Sequence, residues 1–272
     1  MYKFNVENVT KNLIEWIKNW FEENGKGCNA VIGISGGKDS TIVAKLCVEA
    51  LGKDRVIGVM MPNGVQKDIS DSIRVCEFLG IKNYTINIED SVNGVLNQME
   101  QAGIEITEQT RTNLPARIRM STLYAVSQSN NGRVSNNCNE SEDVVGYATR
   151  YGDGAGDFSP LSELTTVEIK QIGDYLGLPH DLVHKTPIDG LNTNPDGSYV
   201  TDEQSLGITY DEIHSYIRGD RKLDENVYNK IKDKQKKNMF KLLPMPKFTP
   251  RHSDLYVINN RMEIDNSGTN NI

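Results

Sequence analysis

The most restrictive feature of the chain is a short apolar run, Ala30-Val31-Ile32-Gly33-Ile34, that ends in Ser35-Gly36-Gly37-Lys38-Asp39-Ser40. Apolar residues at helical spacing follow it, namely Ile42, Val43, Leu46 and Val48. A buried strand, a glycine turn and a helix in that order belong to an open parallel α/β sheet. Glycines let the backbone come close to a ligand, and the helix aims its first N–H groups and its dipole back at the turn. Such a turn is a cradle for an anion. The candidate cradle comprises Gly33, Ile34, Ser35, Gly36, Gly37, Lys38, Asp39 and Ser40, with Ser35 and Ser40 as hydroxyl donors.

The same grammar recurs downstream. Residues 55–62 read as a second buried strand, 68–80 as a helix stopped by Gly80, and 83–88 as a third strand. Arg111 to Gln128 reads as a further helix, 132–135 as a fourth strand and Thr166 to Leu176 as another helix. This alternation predicts a doubly wound parallel sheet with helices on both faces. Residues 5–21 set Val6, Val9, Leu13, Trp16, Ile17, Trp20 and Phe21 on one helical face, which packs either on the core or on a partner subunit. The stretch from Pro187 to Gln204 is rich in turn formers and reads as a mobile surface loop, with helices again over 209–217 and 224–238. Residues 1–250 are expected to form one domain, and 251–272 a polar, Asn-rich tail.

Charge narrows the partners. A net charge of −7 argues against a nucleic-acid binder, which needs a basic face, but leaves small anions open because a local cradle can hold them. The four cysteines include no CxxC pair, so neither a zinc site nor a disulfide framework is expected. A reducing cytoplasm fits this best, and no apolar stretch reads as an export signal or a membrane span.

Spacing excludes two other loops. A Walker loop requires a glycine five residues before Gly37, where Ile32 stands, and a Ser or Thr after Lys38, where Asp39 stands. Ser35-Gly-Gly-Lys38 also fits S-x-x-K of penicillin-recognising enzymes, but neither S-D-N nor K-T-G occurs downstream. What remains resembles the pyrophosphatase loop SGGxDS of enzymes that split ATP between its α and β phosphates. In such a loop a carboxylate makes sense when Mg²⁺ stands between Asp39 and the phosphates.

Further segments narrow the resemblance. Arg111-Thr-Asn-Leu-Pro-Ala-Arg117-Ile-Arg119-Met120, Asn139-Glu-Ser-Glu142-Asp143-Val-Val-Gly146-Tyr147, Arg150-Tyr-Gly-Asp153-Gly-Ala-Gly-Asp157 and Thr201-Asp202-Glu203-Gln-Ser-Leu206-Gly207 are similar to segments of NAD synthetases, in the same order. The resemblance implies an adenine nucleotide alpha hydrolase-like fold and a homodimer with the dinucleotide at the subunit interface. It implies ATP-dependent amidation of deamido-NAD by ammonia through an adenylate, giving NAD, AMP and pyrophosphate. It places Mg²⁺ on Asp39 and Glu142, deamido-NAD on Arg117, Arg150 and Asp157, and ammonia near Asp153, with Lys38 facing the departing pyrophosphate and residues 187–204 as a lid. Each residue also has a plainer reading: Arg117 and Arg119 as solvated helix charges, Asp153 and Asp157 as turn formers beside glycines.

The chain departs from the commoner family pattern at several positions. Asn137 stands where a Thr contacts ATP, Thr166 where a Lys is expected, and Ile188 where a Ser or Thr follows Lys-x-Pro. Phe240-Lys241 replaces a substrate-contacting His-Lys pair. With the synthetase pattern covering the chain and no glutaminase segment in it, free ammonia is the expected nitrogen donor. The rival readings are a tRNA-modifying enzyme with the same loop and a nucleotide-binding homologue without turnover.

Overall fold

The computed structural model describes residues 2–66, 68–186, 188–193 and 199–250. The chain runs through α1 (Val6–Asn24), β1 (Asn29–Gly33), α2 (Lys38–Leu51), β2 (Val56–Met60), α3 (Ile69–Leu79) and β3 (Lys82–Thr85). It continues through α4 (Glu89–Gln101), α5 (Glu108–Ser129), β4 (Gly132–Val134), α6 (Glu140–Val145), α7 (Thr166–Tyr175) and α8 (His180–Val183). A strand pair, β5 (Ile188–Thr193) and β6 (Tyr199–Thr201), then leads into α9 (Asp202–Leu206), α10 (Tyr210–Arg218) and α11 (Glu225–Asn238). The compact body extends to Leu242; a second unit begins at Leu243, and its described residues, 243–250, form neither helix nor strand.

The expected strands form one parallel sheet in the order β3-β2-β1-β4. From β1 the chain winds outward through β2 and β3, then returns to place β4 on the other side of β1. The chain thus reverses its winding between β1 and β4, and a crevice forms at the carboxyl ends of these two strands.

Side-chain alternation along the strands serves both faces. Ala30, Ile32, Val56 and Met60 join a core with Ile17 and Phe21 of α1, Ile42 and Leu46 of α2, Val75 of α3 and Ile169 of α7. Val31, Ile57, Val59 and Val134 face the other way, against Met120 and Leu123 of α5. Gly58 is needed for this packing, because a Cβ there would lie 2.9 Å from Cys76 Sγ of α3. Ile17 and Phe21 are fully enclosed and Val6, Val9, Leu13 and Trp20 pack against the core, so that face of α1 is core except for Trp16, which is exposed. A third cluster, Val145, Leu206, Ile208, Tyr210, Ile213 and Ile231, joins α6, α9, α10 and α11. No helix among the described residues is long and apolar enough to cross a membrane.

The stretch read from sequence as an irregular loop is corrected in part. Ile188–Thr193 and Tyr199–Thr201 pair antiparallel, with Ile188 opposite Thr201 and Thr193 opposite Tyr199 around an irregularity in register. Pro187 and residues 194–198 of that loop, and the expected tail 251–272, lie outside the described residues.

One ionic network fastens the helical layer. Arg218, at the end of α10, donates to Glu168 Oε1 at 2.7 Å and Oε2 at 2.8 Å, and pairs with Glu140 Oε2 at 2.7 Å. Burial opposes the ionisation of Glu168, but bonds from Arg218 and Tyr2 more than offset it and hold its pKa below the ordinary value. Removing one partner of such an enclosed pair strands the other charge. Arg218→Met should therefore lower unfolding free energy at neutral pH by about 3 kcal/mol, read from urea midpoints. Because the pKa of Glu168 is depressed in the fold, its contribution is present above the unfolded carboxylate pKa and is lost as pH falls through the folded one. The gap between parent and variant should accordingly narrow as pH drops below about 4.

Candidate active site

The Ser35–Ser40 loop lies at the β1–β4 crevice. Gly36 adopts φ +79°, and a Cβ on it would lie 2.9 Å from the Cβ of Asp71, so both conformation and space demand glycine. Ser35 Oγ accepts from Gly37 N at 3.2 Å and lies 3.2 Å from Ser40 Oγ, so the two hydroxyls brace the loop. Gly37 caps α2 without any side-chain bond, which leaves the first N–H groups of that helix without a capping side chain at the crevice. Asn137, just past β4, spans the two strand ends: its Nδ2 donates to Gly33 O at 3.1 Å, while its Oδ1 accepts from Ser135 Oγ at 2.8 Å.

Asp39 and Glu142 come together through Asn139. The enclosed Asn139 donates from Nδ2 to Asp39 Oδ1 at 3.1 Å, and its Oδ1 accepts from Glu142 N at 3.2 Å and from Thr166 Oγ1 at 3.3 Å. Glu142 Oε2 accepts in turn from Asn139 N at 3.4 Å, completing a capping box at the start of α6. Burial, and then repulsion from Asp39, raises the Glu142 carboxyl well above the ordinary glutamate range, against the pull of Lys38.

Lys38 does not line the open side of the loop. It is 3% exposed, and its Nζ donates to Asp39 Oδ2 at 2.7 Å and lies 5.5 Å from the Tyr210 ring centroid. Burial opposes its charge, but Asp39, Glu142 and Asp202 more than offset that and hold its pKa above the ordinary lysine value. Asp202 and Tyr210 belong to this group, although sequence reasoning singled out neither as a site residue. Tyr210 donates to Asp202 Oδ2 at 3.1 Å and Tyr147 to Oδ1 at 3.3 Å. Among the described residues, no group of three or more His, Cys, Asp or Glu side chains is arranged to hold a metal ion by itself.

A second centre lies across α6. Arg150, Asp157 and Lys241 line a cleft of about 540 Å³ together with Glu140, Asp143 and Glu163. Burial, and then Asp153 and Glu140, raises Asp143 to about 6. The guanidinium of Arg150 stands over the rings of Tyr151 and Phe240, at 5.1 and 5.6 Å. Lys241 donates to the carbonyls of Gly146 at 2.7 Å and Ala148 at 3.1 Å, which fastens the turn after α6. Asp157 accepts from Val134 N at 2.7 Å and from Tyr124 at 3.1 Å, so it stitches its own segment to β4. Asp153 accepts from Thr149 N at 3.0 Å, and the exposed Arg117 reaches the Arg150 carbonyl at 3.3 Å.

Comparison with known proteins agrees with this architecture. The family model described as NAD synthase matches residues 9–249. The NH(3)-dependent NAD(+) synthetase of Thermococcus sibiricus is 36% identical over 248 residues, covering 90% of each chain. Among solved structures, the NMN synthetase of Francisella tularensis superposes with TM-score 0.80 and 29% identity over 92% of this chain and 100% of its own. The NH3-dependent NAD synthetase of Campylobacter jejuni, solved with a nitrate ion, gives TM-score 0.74 and 29% identity over 91% and 100%. Since the family match runs from α1 to the end of the described chain and takes in both centres, the chain belongs to the NAD synthase family.

Proposed function

We propose that this chain amidates the nicotinate carboxylate of deamido-NAD with ammonia, at the expense of ATP, giving NAD, AMP and pyrophosphate as the last step of NAD formation. The observation that carries the reading is the meeting of Asp39 and Glu142, from different helices, beside a glycine loop whose helix has no capping side chain. Two hard carboxylates suit Mg²⁺, which typically takes one or two protein carboxylates and completes its shell with water and phosphate oxygens. Burial first, and then repulsion from Asp39, raises the Glu142 carboxyl, and a cation held between the two carboxylates would offset the second of these. Asp39 and Glu142 would hold the ion, which supplies charge neutralisation to the ATP phosphates.

The remaining roles fall to the chain itself. Backbone N–H groups of Gly36 and the first turn of α2 bind the β and γ phosphates and stabilise pyrophosphate as it leaves the α-phosphorus. The nicotinate oxygen forms the new bond to that phosphorus, giving a mixed anhydride. Ammonia then attacks the activated carbonyl carbon, AMP departs, and a proton leaves the nitrogen. Arg150 and Lys241 supply positive charge to the dinucleotide in the cleft that Asp157 also lines, Arg117 adds a guanidinium from α5, and Asp153 orients the nucleophile. Lys38 acts through Asp39 rather than by touching phosphate. The β5–β6 hairpin shields the adenylate from water.

A homodimer completes the reading. Val95, Met99, Ala102 and Ile104 form an apolar surface on and just after α4, with Ile104 50% exposed, and a second copy would cover it.

Incubation of the protein with Mg-ATP and ammonium should convert deamido-NAD to NAD with equimolar AMP and pyrophosphate, whereas nicotinate mononucleotide, offered in parallel, should react more slowly. Absence of AMP formation would favour a binding protein, and AMP formation dependent on tRNA a modifying enzyme. Asp39→Asn should reduce kcat by about 100-fold or more, and a fully active variant sinks the mechanism. Arg150→Ala should raise KM for deamido-NAD by about tenfold while leaving that for ATP unchanged. Val95→Asp should shift the sedimentation coefficient from dimer to monomer.

A further inference from the structure

The inner side of the phosphate loop rests on the start of α3, where one enclosed hydroxyl has its hydrogen-bonding capacity unspent. Ser72 is fully enclosed, and its Oγ has no hydrogen-bond partner among the described residues. Gly36 packs directly on it: a Cβ built on that glycine would lie 3.0 Å from Ser72 N and 3.1 Å from Ser72 Oγ. The other enclosed side-chain atom in this position, Glu140 Oε2, has the charge of Arg218 at 2.7 Å to compensate it. Ser72 has no such compensation, and a buried polar group left in that way calls for a cause.

An enclosed helical hydroxyl ordinarily bonds back to the carbonyl four residues earlier. Thr10 of α1 and Thr41 of α2 do so, to Val6 O and Gly37 O, both at 2.7 Å. Ser72 does not, although nothing but its own helix would be needed. Two features show which side can supply an acceptor instead. The start of α3 is anchored, since Lys185 donates to Asp68 Oδ2 at 2.8 Å and Asp71 Oδ2 at 2.7 Å, and Val75 and Cys76 are set in the core. Gly36 has φ +79° and no side chain, so the peptides beside it turn with little resistance. A trans peptide sets its carbonyl and its N–H on opposite sides. Turning the Gly36 N–H outward to an anion therefore swings the Ser35 carbonyl inward, where the Ser72 hydroxyl lies.

The geometry points to Ser72 as a positioning residue of the phosphate loop, its hydroxyl donating to the Ser35 carbonyl when the Gly36 N–H takes a phosphate oxygen. The bond favours the anion-holding form of the turn, and the unpaired hydroxyl opposes any form that offers it no acceptor. One side chain thus acts with opposite sign on the protein with and without a polyphosphate. This inference rests on the reading of residues 35–40 as the loop that takes the ATP phosphates.

The test is Ser72→Ala in the full chain, titrated calorimetrically with inorganic pyrophosphate in the presence of Mg²⁺. Binding should weaken by about fivefold, and KM for ATP should rise by a similar factor while KM for deamido-NAD stays unchanged. Without pyrophosphate the same variant should melt about 2–4 °C above the parent. Ser70→Ala, at an exposed serine of the same turn, measures what alanine gains there from helix propensity alone. It should leave pyrophosphate affinity at the parent value and raise the melting temperature by less than Ser72→Ala does. A hydroxyl satisfied by an enclosed water throughout would give Ser72→Ala the affinity of the parent, and a hydroxyl that only supports the helix would lower its melting temperature. Either result overturns the role of Ser72. A parent that binds no pyrophosphate would sink the phosphate-loop reading itself, whereas equal binding by parent and Ser72→Ala would sink the role of Ser72 alone.

Discussion

The interaction on which the rest of the structure depends is the enclosed ion pair of Lys38 with Asp39, held in place by Asn139. Charges removed from water are tolerated only when each finds a partner of fixed geometry. Here the partners come from separated parts of the chain: Asp39 from α2, Glu142 and Asn139 from the start of α6, and Tyr210 from the start of α10. The winding of the sheet brings the first two together, because the helices after β1 and β4 begin at the same crevice. The third cluster of apolar residues brings in the last, by fixing α9, α10 and α11 against α6. The hydrophobic packing thus acts as a frame that places polar groups, and the polar groups in turn fix which of the possible helix registers is used.

That frame was largely legible in the sequence. Continuous apolar runs in β1 and β2, period-3.6 burial in α1 and α2, and Gly80 as a left-handed stop to α3 are local signals with local causes. The hairpin was not legible, since turn-forming residues dominate its composition and two short strands carry too little apolar alternation to announce themselves. Nor was α4, whose Val92 is its one buried residue and whose middle contains Asn93 and Gly94. Short helices such as α6 and α9 escape periodicity altogether and are identified by their capping boxes, Asn139 with Glu142 and Thr201 with Gln204.

The site was legible to a different degree. The loop could be read because glycine and serine at fixed spacing have few other uses. Residues that act through another residue gave no such signal: Asn139 looks like an ordinary helix cap, and Asp202 like an ordinary first-turn acid, until the fold sets one against Asp39 and the other near Lys38. The inward turn of Lys38 was equally hidden, because a lysine beside a phosphate loop reads as a phosphate ligand, and only the enclosing α10 shows where its charge is spent.

The departures from the commoner family pattern acquire a physical meaning on the same ground. Asn137 bridges Ser135 and the Gly33 carbonyl, so it holds the ends of β4 and β1 at the spacing that the crevice needs. Thr166 is fully enclosed and donates to Asn139 Oδ1, and its backbone N–H donates to Ser141 Oγ. A lysine with its ammonium enclosed at that point would place a second cation beside Asn139, next to the carboxylates that Lys38 already serves. Asn137 and Thr166 thus act as neutral groups, the first tying the strand ends together and the second supporting the Asn139 clamp.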